Sequence, residues 1–162
     1  MRFLALTLLL PFLLFVLMPW NAGADRTGWN RVRLILVVVL NVGLVVLVVV
    51  PWQRFDPVAH WDRVRWIPLV SPPITPRDLL GNLLLYLPLG HALARLAGVR
   101  RGMRLGVGTA VLIALCTETL QLFSRGRYPS TTDLLSNTTG AWLGVVLALW
   151  LMRRAQPTPL SS

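Results

Sequence analysis

Long apolar runs alternate with short polar segments along the chain, and this pattern predicts membrane-spanning helices. The second run is an almost unbroken series of Val and Leu, long enough for an α-helix to cross the ~30 Å hydrocarbon core of a bilayer. Because lipid offers no partners for backbone polar groups, each run is expected to be helical. The sequence therefore predicts an all-α integral membrane protein, a polytopic bundle of about five transmembrane helices. The five runs are Phe3–Trp20, Leu34–Trp52, Leu79–Leu96, Leu105–Phe123 and Thr138–Met152.

The runs divide the chain into four parts. Residues 1–24 form the first transmembrane helix or, alternatively, a cleaved signal peptide, because Arg2, an apolar run and Ala22-Gly23-Ala24 also match that pattern. Residues 25–65 hold a linker, the second helix and a Trp-containing loop that is expected to lie along the lipid headgroups. Residues 66–152 hold three helices, and residues 153–162 are expected to be a disordered tail.

Composition supports a membrane protein and argues against other classes. Hydrophobic residues make up 55% of the chain and charged residues 14%, which is too little charged surface for a soluble domain. All basic residues are Arg, and they flank the apolar runs, so membrane topology explains them better than nucleic-acid binding does. Cys116 is the single cysteine, and the two histidines form no metal-ligand cluster. No disulfide, metal or cofactor is therefore expected.

The arginines are distributed unequally between the two sides of a five-span bundle. The positive-inside rule favours the richer side as cytoplasmic, with the N-terminus outside, whereas cleavage of residues 1–24 would invert the remaining helices. We expect a multi-pass protein of the cytoplasmic (inner) membrane. The poorer side holds Arg2, Arg54, Arg63, Arg65, Arg77, Arg125 and Arg127, and the richer side holds Arg26, Arg31, Arg33, Arg95, Arg100, Arg101, Arg104, Arg153 and Arg154.

Polar side chains within or next to the spans fall at one membrane surface. Glu118 lies deep enough that its carboxylate needs a partner or a proton, and Arg125 or Arg127 could form an ion pair with it. Because successive spans run in opposite directions, the third span enters from the side that the fourth leaves. We expect a ligand-binding pocket or groove from these residues, namely Asn82, Glu118, Gln121, Arg127, Asp133 and Asn137.

Simpler structural roles are also open for individual residues. Asp133 could cap the fifth helix, and Asn82 could cap the third. Gly140 and Gly144 form a small-residue stripe that suits close helix packing. The remaining polar candidates are expected to be structural: His91 and Arg95 at the membrane interface, and Cys116 as a small buried residue.

The polar residues and their spacing resemble the VanZ-like family of small bacterial membrane proteins. The matching motifs are Asn82-x5-Pro88-x-Gly90, Glu118-x2-Gln121 and Arg127-x5-Asp133-x3-Asn137-x2-Gly140-x3-Gly144. Leu89 replaces the usual Phe, and the resemblance covers Trp66–Trp150, with the first span outside it. It implies that the motif faces the outside of the cytoplasmic membrane. It also implies a link with low-level resistance to teicoplanin, a lipid-anchored glycopeptide antibiotic.

Three functions are open from the sequence. The first is a non-enzymatic envelope protein that binds a membrane lipid, a cell-wall precursor or a lipoglycopeptide, with Arg127 holding a phosphate or carboxylate and with Asp133 and Asn137 bonding sugar or peptide groups. The second is a membrane-embedded enzyme acting on an envelope lipid with Glu118 or Asp133 as acid or base, although no nucleophile or phosphate-loop motif accompanies them. The third is a structural or assembly role in a homo- or hetero-oligomer through Gly140 and Gly144.

Overall fold

The computed structural model describes residues 28–49, 55–69, 76–126 and 128–155, together with position 13. Helix α1 spans Gly28–Val49, α2 spans Pro76–Gln121 and α3 spans Thr131–Arg154, and a short 3-10 helix covers Trp61–Arg63. No named strand occurs in these ranges. Helices α1, α2 and α3 each contain a segment long and apolar enough to cross a membrane. The all-α class predicted from the sequence is therefore confirmed.

The number of helices differs from the prediction, because the described residues contain three spanning helices rather than five. The first predicted span, Phe3–Trp20, lies outside the described residues. The third and fourth predicted spans are two parts of α2, since helical backbone continues through the Arg-rich segment between them. Gly98 alone has non-helical backbone angles there.

Helix ends also differ from the predicted ones. α1 begins at Gly28 rather than at Leu34. α3 begins at Thr131, before the apolar run that starts at Thr138 and slightly before the polar turn Asp133–Asn137 at which the helix was expected to begin. Ser130 caps it, and the Ser130 side chain accepts a hydrogen bond from the N–H of Thr132. α3 also continues through residues 153 and 154, whose positive charges suit the C-terminal end of a helix dipole. Residues 153 and 154, which were expected in the disordered tail, are therefore helical, and residues 156–162 lie outside the described residues.

α2 folds back on itself at Gly98. A straight helix of 46 residues would be about 69 Å long, more than twice the thickness of the hydrocarbon core. Gly98 has φ 75° and ψ 172°, a conformation that glycine adopts at little steric cost. Tyr86 Oη lies 3.4 Å from Thr117 Oγ1 although 31 residues separate them, a separation of about 46 Å along a straight helix. We call residues 76–97 the first arm and residues 99–121 the second arm.

Small residues bring the first arm and α3 into backbone contact. A Cβ atom at any of three glycines would overlap a backbone oxygen of the facing helix: Gly90 meets Ala141, Gly140 meets Leu83 and Gly144 meets Leu87. The two helices run parallel, because Leu83 and Leu87 meet Gly140 and Gly144 in the same order. The glycine stripe thus packs within the chain. An oligomer through the same glycines stays a prediction, and it would require the first arm to leave this surface.

α1 is joined to the first arm by a polar bond inside the bundle. Asn41 is fully buried, and its Nδ2 donates a hydrogen bond to Leu85 O at 2.7 Å. Pro88 lies within the same turn and interrupts the hydrogen-bond ladder of the first arm, because proline has no N–H. The carbonyl that Pro88 leaves without an intrahelical donor is that of Leu84, next to the Leu85 carbonyl that Asn41 binds. Asn41 therefore fixes α1 at the place where the first arm is weakened.

The start of α1, the bend of α2 and the end of α3 lie at one end of the bundle, and the remaining helix ends lie at the other. The beginning of α1 packs on the first arm near Gly98, where Leu34 and Val37 meet Ala92. The last turns of α3 pack near the same bend, where Leu149 clusters with Ala94. We call this the arginine end, and the opposite end, where α2 both begins and finishes and where α3 begins, the polar end. The arginine end carries Arg31, Arg33, Arg100, Arg101, Arg104, Arg153 and Arg154.

We predict that Gly144→Ala lowers the free energy of unfolding by about 1–3 kcal/mol, because the new methyl group would overlap Leu87 O and separate α3 from the first arm. Gly108→Ala is the matched control, since nothing lies within 4 Å of a Cβ atom there. Alanine's higher helix propensity should make this control neutral or slightly stabilising. Denaturant unfolding in detergent measures the difference, and equal stability of the two variants would contradict the close packing.

Candidate functional site

The segment 55–69, which we call the roof, is fastened across the polar end. Asp56 and His60 donate backbone N–H groups to carbonyls just beyond the end of α2, at 2.8 and 2.9 Å. Arg65 N donates to Pro129 O at 2.9 Å, and Thr131 N donates to Arg65 O at 3.1 Å. The roof is therefore attached both to the end of α2 and to the start of α3.

Glu118 lies in the last turn of α2, where it is buried. Its Oε2 accepts a hydrogen bond from the backbone N–H of Ser130 at 2.8 Å. Ser130 is the N-cap of α3, and the positive end of a helix dipole stabilises a nearby carboxylate. Of the two ion-pair partners expected from the sequence, Arg125 binds Asp56 instead, and Arg127 lies outside the described residues.

Asn82 and Asp133 join the first arm to α3. Asn82 Nδ2 donates to Asp133 Oδ1 at 2.8 Å, although the two residues are 51 positions apart. Neither residue has the capping role that the sequence left open. Ser130 caps α3, and Asn82 lies inside α2, which begins at Pro76.

Gln121 and Asn137 complete the polar end, and both are 5% exposed. Asn137 follows Asp133 by one helical turn, so the two side chains project from one face of α3. Within the described part of the chain, Asn137 Oδ1 is buried and accepts no hydrogen bond. A buried carbonyl oxygen without a donor is costly. This position is therefore suited to accept a hydrogen bond from a hydroxyl or amide group of a ligand.

The structure thus places Asn82, Glu118, Gln121, Asp133 and Asn137 at the polar end. We call these five residues the ligand cluster. Arg127, the sixth residue expected there, lies outside the described residues.

A second cluster, formed by Asp56, His60 and Arg125, was missed from the sequence. Arg125 Nε donates to Asp56 Oδ2 at 2.6 Å, and His60 Nε2 lies 3.1 Å from the same oxygen. Asp56 and Arg125 are 69 positions apart, so only the i,i+4 spacing of Asp56 and His60 could have suggested a contact. The described residues contain no group of three His, Cys, Asp or Glu side chains that could hold a metal ion.

Hydrogen bonding at this second cluster lowers the pKa of Asp56 and raises the pKa of Arg125. The bond from Arg125, followed by the bond from the Val58 N–H, lowers the pKa of Asp56 from 3.8 to about 2. Asp56 in turn raises the pKa of Arg125. The Asp56 side chain is 6% exposed, so this ion pair fastens the roof from its inner side.

Three other residues lie in surroundings that differ from those expected. His91 and Arg95, expected at the interface, are buried, because the first arm packs against α1 as well as α3. Cys116, expected to be buried, is exposed. It lies on the outer face of the second arm, where Leu112 and Leu115 are also exposed.

The described helices are long and apolar enough to define a helical membrane protein. The family model VanZ/LLP1 matches residues 3–153, and the chain therefore belongs to the VanZ/LLP1 family. The match is longer than the region Trp66–Trp150 that carried the resemblance, and it includes the first predicted span, which the sequence had placed outside the shared region. No curated protein and no solved structure shows significant similarity to the chain.

We predict that acid weakens the attachment of the roof. Because the pKa of Asp56 is lowered to about 2 by folding, its ionised form stabilises the fold above roughly pH 4, and this contribution is lost as the pH falls towards 2. Asp56→Asn should remove this part of the pH dependence of the melting temperature in detergent. Asp62→Asn, at an exposed carboxyl of the same segment, should keep it. Superimposable pH profiles for wild type and Asp56→Asn would contradict the assignment.

Proposed function

We propose that this protein is a non-enzymatic envelope membrane protein whose ligand cluster binds the polar headgroup of a lipid-anchored molecule. Candidate ligands are a membrane lipid, a cell-wall precursor and a lipoglycopeptide such as teicoplanin. The observation that carries the proposal is the buried Asn137 oxygen without a hydrogen-bond donor, one turn from the Asn82–Asp133 bond. Asn41 Oδ1 inside the bundle also lacks a donor, so what favours a ligand at Asn137 is its position at the polar end, where a ligand could supply the donor.

The chemistry of the cluster suits a ligand with hydroxyl, amide and anionic groups. Asn137 and Asp133 offer acceptors on one face of α3 for sugar or peptide donors. Arg127 is assigned the phosphate or carboxylate of the ligand, because a guanidinium binds such groups through two parallel hydrogen bonds. A molecule whose tail lies in the bilayer presents its headgroup near the ends of spanning helices, and the cluster lies close to such ends.

The charge distribution supports a polar end that faces outward from the cytoplasmic membrane. The bend of α2, the start of α1 and the end of α3 all carry arginines, and such clusters favour the cytoplasmic side. The polar end then faces the compartment in which cell-wall precursors and glycopeptides meet. This orientation supports a role in glycopeptide susceptibility.

Cysteine labelling on intact cells tests the orientation. Asp62 and Arg104 are both exposed and lie at opposite ends of the bundle. In a Cys116→Ser background, Asp62→Cys should react with a membrane-impermeant maleimide without lysis, and Arg104→Cys should react only after lysis. The reverse pattern would place the ligand cluster in the cytoplasm and overturn the envelope assignment.

An Asn137→Leu substitution tests the ligand role, because it separates binding from stability. Removing a buried acceptor that lacks a donor should leave the free energy of unfolding equal or higher. If a ligand supplies that donor, teicoplanin affinity in lipid nanodiscs should fall at least about tenfold, roughly 1.4 kcal/mol. Cells that express the variant should lose the effect of the wild-type protein on teicoplanin susceptibility.

Asn41→Leu is the matched control, because it makes the same change at a buried asparagine whose Oδ1 also lacks a donor but whose Nδ2 donates to Leu85 O within the bundle. It should lower stability and leave affinity unchanged. Unchanged binding by Asn137→Leu would contradict the assigned contact. A wild-type protein that binds neither teicoplanin, phosphatidylglycerol nor a lipid-linked cell-wall precursor would overturn the proposed function.

A further inference from the structure

The roof exposes an unusual number of large apolar side chains for a polar connection. Between 61% and 68% of each of six such residues is exposed, and all six fall within the fifteen residues 55–69. An exposed concentration of this kind marks a contact surface with a partner or a membrane. The six residues are Phe55, Val58, Trp61, Trp66, Ile67 and Leu69.

Arginines border these apolar side chains. Arg63 donates to the backbone oxygen of Arg125 at 3.1 Å, and the Arg125 side chain is 71% exposed. The Arg65 guanidinium carbon lies 4.8 Å from the centre of the Tyr128 ring. Aromatic and aliphatic groups interspersed with arginine are typical of segments that lie in the headgroup region and bind anionic lipids.

The position of the roof favours a membrane, rather than a soluble protein, as its partner. The roof connects α1 to α2, two helices that each contain a spanning segment. Backbone bonds from Asp56 and His60 hold it beside the turn that ends α2, so it lies at the depth where hydrocarbon gives way to headgroups.

We propose that the roof is a membrane-contact surface of the leaflet at the polar end. Its exposed apolar side chains insert into the boundary between headgroups and acyl chains, and Arg63, Arg65 and Arg125 contact the phosphates of anionic phospholipids. The Arg125–Asp56 ion pair keeps the roof in the conformation that presents this surface. The proposal concerns the lipid surface alone and does not depend on a ligand at the ligand cluster.

Fluorescence quenching in vesicles tests the insertion. Trp61→Cys and Trp66→Cys, in a Cys116→Ser background, are labelled with an environment-sensitive dye and reconstituted into phosphatidylcholine–phosphatidylglycerol vesicles, with the roof outside. A nitroxide near the carbonyl end of the lipid chains should quench both dyes at least about twofold more than one near the methyl end, because the predicted depth is interfacial. Asp62→Cys is the matched control, since it is adjacent, exposed and charged in the native chain. Its dye should be quenched by aqueous iodide.

Two results would overturn the proposal. Iodide quenching at positions 61 and 66 as strong as at position 62 would place the roof in water and favour a soluble partner. Stronger quenching by the nitroxide near the methyl end would place it within the hydrocarbon. Ile67→Cys supplies a further site if a tryptophan variant fails to fold, and it has the same expected profile because Ile67 is equally exposed.

Discussion

Backbone contact between the first arm and α3 is the constraint on which the rest of the structure depends. In lipid the hydrophobic effect does not drive helices together, so close packing and polar bonds must do so. Gly90, Gly140 and Gly144 permit an approach that any side chain would block. Because these two helices run parallel, both begin at the same end of the bundle. That arrangement is what brings Asn82 within hydrogen-bond distance of Asp133.

Two buried polar side chains of the bundle bond to the backbone. Glu118 accepts from the Ser130 N–H, and Asn41 donates to Leu85 O. A backbone group at a helix start or beside a proline is already fixed, so bonding it costs less side-chain entropy than holding a long arginine in place. Arg125 binds Asp56 and fastens the roof.

The helical class and the family could be predicted because both depend on local sequence, namely apolar runs and motif spacing. The helix count could not, since one glycine, Gly98, reverses the chain without a loop that a pattern would show. The Asp56–Arg125 pair joins positions 69 residues apart. Asn41 is a single polar residue within a Val- and Leu-rich run. One partner of Glu118 is a backbone N–H, which has no signature in sequence. These features depend on contacts between residues far apart in the sequence, which hydropathy does not encode.

The start of α3 connects the roof to the ligand cluster. Two consecutive N–H groups bond in different directions: that of Ser130 to the Glu118 carboxylate, and that of Thr131 to Arg65 O in the roof. Leu69 N adds a bond from the roof to Thr132 Oγ1 at 3.0 Å. Because the two N–H groups belong to consecutive peptide units that meet at Ser130 Cα, displacement of the roof changes the geometry of the Glu118 bond. If lipid holds the roof in place and a headgroup binds the ligand cluster, as proposed, the two events are coupled through Ser130 and Thr131, and by reciprocity each changes the affinity of the other by the same factor.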